Sequence, residues 1–185
     1  MAELIGNISH LIDWDSIISV LDNKEPGYIG PRHKGTDEII GIKEMAKLWE
    51  EAGFKLIKDG GNAGWDMFFP EVHFDEKIVT IFADYVNVDP LSCWISRINP
   101  GYMTPWHWDC NDNEAYYETL NTARFTCHIS KPTVGHAVMI EDHCMYFQDQ
   151  GAVYKWPSRT NWHGGINCGF KPKYLFNFFG IIKEQ

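Results

Sequence analysis

Along residues 13–21 apolar side chains recur at Trp14, Ile17, Ile18 and Leu21, the i, i+3, i+4, i+7 spacing that lays one stripe along a helix. Asp13 or Asp15 supplies a capping carboxylate at its start. The stretch from Pro26 to Gly35 is dense in glycine and proline and reads as loop. A second stripe, Ile40, Ile42, Met45, Leu48 and Trp49, predicts a helix over Thr36 to Ala52, with Gly53 placed to end it. A third short helix is predicted over Asp75 to Tyr85. From about residue 54 short β-branched and aromatic runs alternate with turn residues. Ser92–Asn99, Ala123–Ser130, Ala137–Ile140, Met145–Phe147, Ala152–Trp156 and Tyr174–Ile182 read as strands.

Helices first and then a series of short strands predict a mainly β fold with N-terminal helices. A double-stranded β-helix, jelly-roll and cupin-like, fits this order. Residues 1–90 would be a mostly helical or irregular cover and 91–185 the β core of a single domain. A chain of 185 residues with eight Trp, eight Tyr and eleven Phe has enough apolar surface for a large core.

The net charge of −9 argues against a nucleic-acid partner, which needs a basic face, and against anionic lipid. No apolar run reaches the length of a membrane span, and the first residues lack the basic start of a secretory leader. Five cysteines, an odd number with no CxxC pair, read as reduced thiols. The expectation is a cytoplasmic protein.

Most of the eight histidines carry no signal by themselves. His107-Trp108-Asp109 differs. In an extended segment residues i and i+2 face the same side, so an imidazole and a carboxylate can meet one interior point while Trp108 packs outward. A histidine from a distant strand would complete a 2-His-1-carboxylate triad with open positions, the arrangement of non-haem Fe(II) oxygenases. His163, in Asn161-Trp162-His163-Gly164-Gly165-Ile166-Asn167, is the best candidate, since several strands fit between it and Asp109. His128, His136 and His143 compete. His143 and His136 sit in turn-like sequence, and His128 is close in the chain to the first pair.

From Ser96 to about Gly180 the chain resembles the aspartyl/asparaginyl β-hydroxylase branch of the Fe(II)/2-oxoglutarate-dependent oxygenases. Three blocks carry the resemblance: Ser96 through Pro100-Gly101 to His107, then Arg124-Phe125-Thr126-Cys127-His128, then His163 to Asn167 with Lys173 beyond. The chain departs from that branch in three ways. Asp109 stands where the animal-type hydroxylases have glycine, Thr126 where the family has a basic residue, and Lys173 where it usually has arginine.

The resemblance implies Fe(II) held by His107, Asp109 and His163, with 2-oxoglutarate and O2 as cosubstrates. The reaction would hydroxylate an unactivated C–H of a small-molecule or peptide substrate, for instance an amino-acid residue or a free amino acid. Ser96 and Lys173 are the candidates for the distal carboxylate of 2-oxoglutarate, with Lys171 a rival on the same strand face. Arg124 and His128 would face its metal-proximal carboxylate, or else take a structural role such as pairing with an acidic residue on the facing sheet. Residues 110–120 read as a lid over the substrate or as an ordinary solvated loop, and Asp112, Glu114 and Glu118 favour a cationic substrate. Two other classes compete: a cosubstrate-free cupin metalloenzyme, with His128 or His136 as a further ligand, and a non-catalytic ligand-binding β-sandwich.

Overall fold

The computed structural model describes residues 2–30, 40–109, 120–156 and 161–184. In chain order the elements are β1 (Glu3–Asn7), α1 (Trp14–Leu21), β2 (Tyr28–Gly30), α2 (Ile40–Glu51), β3 (Trp65–Phe68), α3 (Lys77–Val86), β4 (Val88–Ile98), β5 (Met103–His107), β6 (Thr122–His128), β7 (His136–Ile140), β8 (His143–Tyr146), β9 (Ala152–Trp156), β10 (His163–Asn167) and β11 (Lys173–Ile182).

Two antiparallel sheets form. The larger has the order β1-β9-β6-β11-β4-β3-β2 and the smaller β5-β10-β7-β8. From β4 onward the chain passes back and forth between them, which is a double-stranded β-helix. The inner faces meet through Val138, Ile140 and Met145 of the small sheet and Tyr154, Trp156 and Leu175 of the large one.

Alternation along β11 sorts its side chains. Tyr174, Phe176 and Phe178 join the core on the outer face of the large sheet, beneath α1 and α3. Lys173, Leu175 and Asn177 take the inner face by the same period of two. Asp13 caps α1 by accepting from the Ser16 backbone N–H. Trp14 and Leu21 of that helix, with Phe82 of α3, are buried against the sheet. The Phe82 ring lies 4.9 Å from Phe176 and 5.0 Å from Phe178. Because Phe176 is fully buried, Phe176→Ala is expected to cost about 3–5 kcal/mol of unfolding free energy. Urea denaturation measures this; a loss below about 1 kcal/mol would contradict the packing described.

The structure departs from the sequence reading mainly where strands are short or interrupted. β1 extends one side of the large sheet, and β3 with β2 the other, from within the segment read as helical or irregular cover. β5 contains Pro105, which only an edge strand accommodates, and β5 is an edge of the small sheet. β10 begins His-Gly-Gly, a poor strand former by propensity, yet it pairs on both sides. β4 starts at Val88, ahead of the Ser92 expected, and runs through Asp89-Pro90. β3 reaches only its far end, so among the described residues no strand pairs with Pro90 on that side. The first residues expected of the second helix, 36–39, fall outside the described residues. Gly53 and Phe54 close α2 by bonding back to Glu50 and Trp49. No helix among the described residues is long and apolar enough to cross a membrane.

Candidate metal centre

β5 ends at His107, and β10 begins at His163 directly opposite it. This pairing brings the two imidazoles to a centroid separation of 4.2 Å. Asp109, two residues past His107, turns to the same side, as the alternation of an extended chain requires. The Asp109 carboxylate lies 3.6 Å from His163 Nε2 and 4.0 Å from His107 Nε2. One ligand atom from each of the three falls within 4.8 Å of the others. It is the one such group of His, Cys, Asp or Glu among the described residues.

Each imidazole is set for coordination by its other nitrogen. His107 Nδ1–H donates to the Pro105 carbonyl at 2.8 Å and His163 Nδ1–H to the Asn161 carbonyl at 3.0 Å. A carbonyl can only accept, so Nδ1 carries a proton and Nε2 is the nitrogen left facing the shared space. Burial, reinforced by the neighbouring His163, pushes His107 down to about 3, so it is neutral in ordinary conditions. Burial alone would raise the Asp109 carboxyl. Arg124, bonded to it at 2.7 Å, together with both histidines, instead holds it well below the usual carboxylate range. Two imidazole Nε2 atoms and an ionised carboxylate on one side of a cavity fit a divalent non-haem metal with open positions.

Tryptophans fix the ligands. Trp65 of β3 stacks on His107 at 5.6 Å, and Trp49 of α2 meets the same ring edge-on at 5.7 Å. Trp49 is anchored in turn by its indole N–H to the Trp106 carbonyl, 2.9 Å. Trp156 packs edge-on against His163 at 4.6 Å. Trp108 points away from the cavity, as alternation required, and meets Trp162 at 4.7 Å. The N-terminal segment therefore builds the wall around a candidate ligand. Sequence patterning showed Trp49 only as part of a helical stripe and gave Trp65 no role, because both contacts join segments far apart in the chain.

The cavity beside the triad is lined by residues of both sheets, among them Ser96, Thr126, Trp156, Gly165, Leu175 and Asn177. Ser96 Oγ accepts from Asn177 Nδ2 at 3.0 Å, so its own proton is free to be donated. Lys173 is 2% exposed. Its ammonium reaches Gly165 and donates to the Ala137 carbonyl. No carboxylate among the described residues pairs with it. Burial pushes it down to about 7. Lys171, its rival in the sequence, is exposed.

Arg124 and His128 are separated. Arg124 lies on Asp109, stacked over Phe179 at 4.8 Å and Trp156 at 5.8 Å. His128 shares a smaller recess with Lys173 and His136. Its Nε2 is buried and makes no hydrogen bond among the described residues, and burial with the nearby lysine pushes it down to about 3. His136 Nε2 is bonded to the Lys171 carbonyl at 3.0 Å, away from the triad. His143 opens β8 and packs near Tyr154. None of these three joins the metal-ligand group. The acidic stretch read as a lid or a solvated loop lies, over residues 110–119, outside the described residues.

No protein-family model matches the chain, and no curated protein matches its sequence. Solved structures do resemble it. A viral collagen prolyl hydroxylase from Paramecium bursaria Chlorella virus-1, in a 2OG complex, is 16% identical, with TM-score 0.48 over 89% of this chain and 99% of that one. A 2OG-Fe(II) oxygenase family oxidoreductase from Burkholderia pseudomallei is 12% identical, with TM-score 0.42, covering 63% of this chain and 65% of that one. A predicted oxalate decarboxylase from Thermotoga maritima is 9% identical, with TM-score 0.40, covering 65% of this chain and 83% of that one.

Proposed function

We propose that the chain is an Fe(II)- and 2-oxoglutarate-dependent oxygenase that hydroxylates an unactivated C–H bond of a small-molecule or peptide substrate. The observation that carries this reading is a pair of opposed features. Three converging metal-ligand atoms lie at the cavity, and a buried lysine with no carboxylate partner among the described residues stands beyond Gly165 of the same cavity wall. A buried ammonium without a counterion is costly, and an anionic ligand relieves that cost. A dicarboxylate that is anchored at a metal and also reaches a lysine answers both features.

On this reading His107, Asp109 and His163 hold the metal, and Arg124 keeps Asp109 ionised and oriented. Lys173 binds the distal carboxylate, with the Ser96 hydroxyl as a further donor. Iron and 2-oxoglutarate, when bound, supply the oxidation: O2 is reduced as 2-oxoglutarate becomes succinate and CO2, with one oxygen atom entering the substrate. The aromatic wall formed by Trp49, Trp65 and Trp156 keeps the ligand imidazoles oriented and limits water around them. A cosubstrate-free cupin enzyme with a larger histidine cluster would need His128 or His136 at the metal, and neither joins the ligand group among the described residues.

The reading requires succinate to be formed from 2-oxoglutarate only when Fe(II) and O2 are both present, and not by His107→Ala. Metal-loaded protein that turns over without consuming 2-oxoglutarate would overturn it.

The lysine also sets a pH dependence. The protonated form binds the carboxylate, and burial pushes the free group down to about 7. As pH rises through 7 the empty site loses its charge, and binding must then take up a proton. The affinity for 2-oxoglutarate is therefore expected to weaken above pH 7 by up to about tenfold per pH unit. Calorimetric titration from pH 6 to 9 checks this; an unchanged affinity would contradict it.

A further inference from the structure

On the inner face of β10, His163, Gly165 and Asn167 alternate. Gly165 is thus the first inward position beyond a metal-ligand candidate, on the side where Lys173 stands. It pairs with Val138 on one side and, past a register shift between His163 and Gly165, with Thr104 on the other, and it is not among the glycines of positive φ. The backbone conformation does not call for glycine there, and glycine weakens a strand.

The reason lies in the space a side chain would occupy. A Cβ at Gly165 would stand 3.1 Å from Ile98 Cδ1, 3.3 Å from Lys173 Nζ and 3.6 Å from the Ala137 carbonyl oxygen. Ile98 and Gly165 both line the cavity of the candidate metal centre. Gly164 has a different explanation: its Cβ would meet the Thr104 carbonyl oxygen at 2.9 Å, a close backbone approach between β10 and β5 that needs no ligand.

We propose that Gly165 sets the length of the acid that the cavity admits. This assignment rests on the oxygenase reading given above. The missing side chain keeps open the path by which a five-carbon 2-oxo dicarboxylate, held at the metal by its 2-oxo acid end, brings its far carboxylate to Lys173. A β-branched residue is compatible with the strand, and its methyl groups would fill that path. A short 2-oxo acid with no far carboxylate, such as pyruvate, would still reach the metal.

The test uses the full chain loaded with Mn(II), as wild type, Gly165→Ala and Gly165→Val. Each is titrated calorimetrically with 2-oxoglutarate and with pyruvate. In Gly165→Val the affinity for 2-oxoglutarate is expected to fall by about tenfold or more, while that for pyruvate stays within about threefold. Gly165→Ala shifts in the same direction by a smaller factor, and carries the comparison if the valine variant does not fold. Variants that bind 2-oxoglutarate like wild type overturn the assignment. So do variants that hold Mn(II) but lose both acids in step, because a length limit cannot weaken the short one. Wild type that holds Mn(II) and binds neither acid overturns the oxygenase reading itself, which separates the two failures.

Discussion

Replacing His163 by alanine is expected to weaken Fe(II) binding by more than about 100-fold and to remove 2-oxoglutarate binding with it. His163 faces His107 across the β5–β10 pair, and its Nε2 is 3.6 Å from the Asp109 carboxylate. Its Nδ1 is already committed to the Asn161 carbonyl, so no other role is left for Nε2 within the described residues beyond that carboxylate. Without it, His107 and Asp109 remain as two donors, too few to fix a facial site. His128→Ala and His143→Ala are the controls, since neither residue belongs to the ligand group. Metal titration by calorimetry reads all three. Unchanged Fe(II) affinity in His163→Ala would remove β10 from the metal centre.

Lys173→Met is expected to do two opposite things. The affinity for 2-oxoglutarate should fall by about 100-fold or more, because removing one member of a buried ion pair costs about 3–5 kcal/mol. The empty protein should become more stable, by about 1–4 kcal/mol at neutral pH, because methionine of similar shape carries no charge into the interior. The sign follows from the shift. Burial pushes the folded-state lysine down to about 7, from an ordinary 10.5. Between those values the unfolded chain binds more protons than the folded one, so wild-type stability rises with pH. The advantage of Lys173→Met should therefore be full below pH 7 and shrink towards pH 10. Lys171→Met, at an exposed position, should change neither property. Denaturation curves and binding titrations on the two variants decide it: a Lys173→Met protein that still binds 2-oxoglutarate like wild type would contradict the role given to the lysine.

The extent to which the sequence was legible follows from how local each signal is. α1 was readable because its stripe and its Asp13 cap lie within nine residues. β9 and β11 were readable because long β-branched and aromatic runs have no competing reading. Alternation alone placed Tyr174, Phe176 and Phe178 opposite Lys173 and Asn177. β5 and β10, which carry the candidate ligands, were not recognised as strands, since Pro105, Gly164 and Gly165 oppose strand propensity; their pairing to each other and to β7 overrides it. The His-x-Asp pair was visible as a two-residue period, and the partnership with His163 became geometry only through the register of β5 on β10. The hold of Arg124 on Asp109 and the packing of Trp49 and Trp65 on His107 join distant segments, and no local pattern contains them. Lys171 and Lys173 share one parity, so alternation could not separate them. The structure does, because β11 and its burial begin at Lys173.

The most direct test of the oxygenase reading is an anaerobic titration of the Fe(II)-loaded protein with 2-oxoglutarate, followed by visible absorption. The account predicts a metal-to-ligand charge-transfer band that saturates with 2-oxoglutarate and is absent from His107→Ala, Asp109→Ala and His163→Ala. Protein that retains Fe(II) and develops no such band at any 2-oxoglutarate concentration would contradict it.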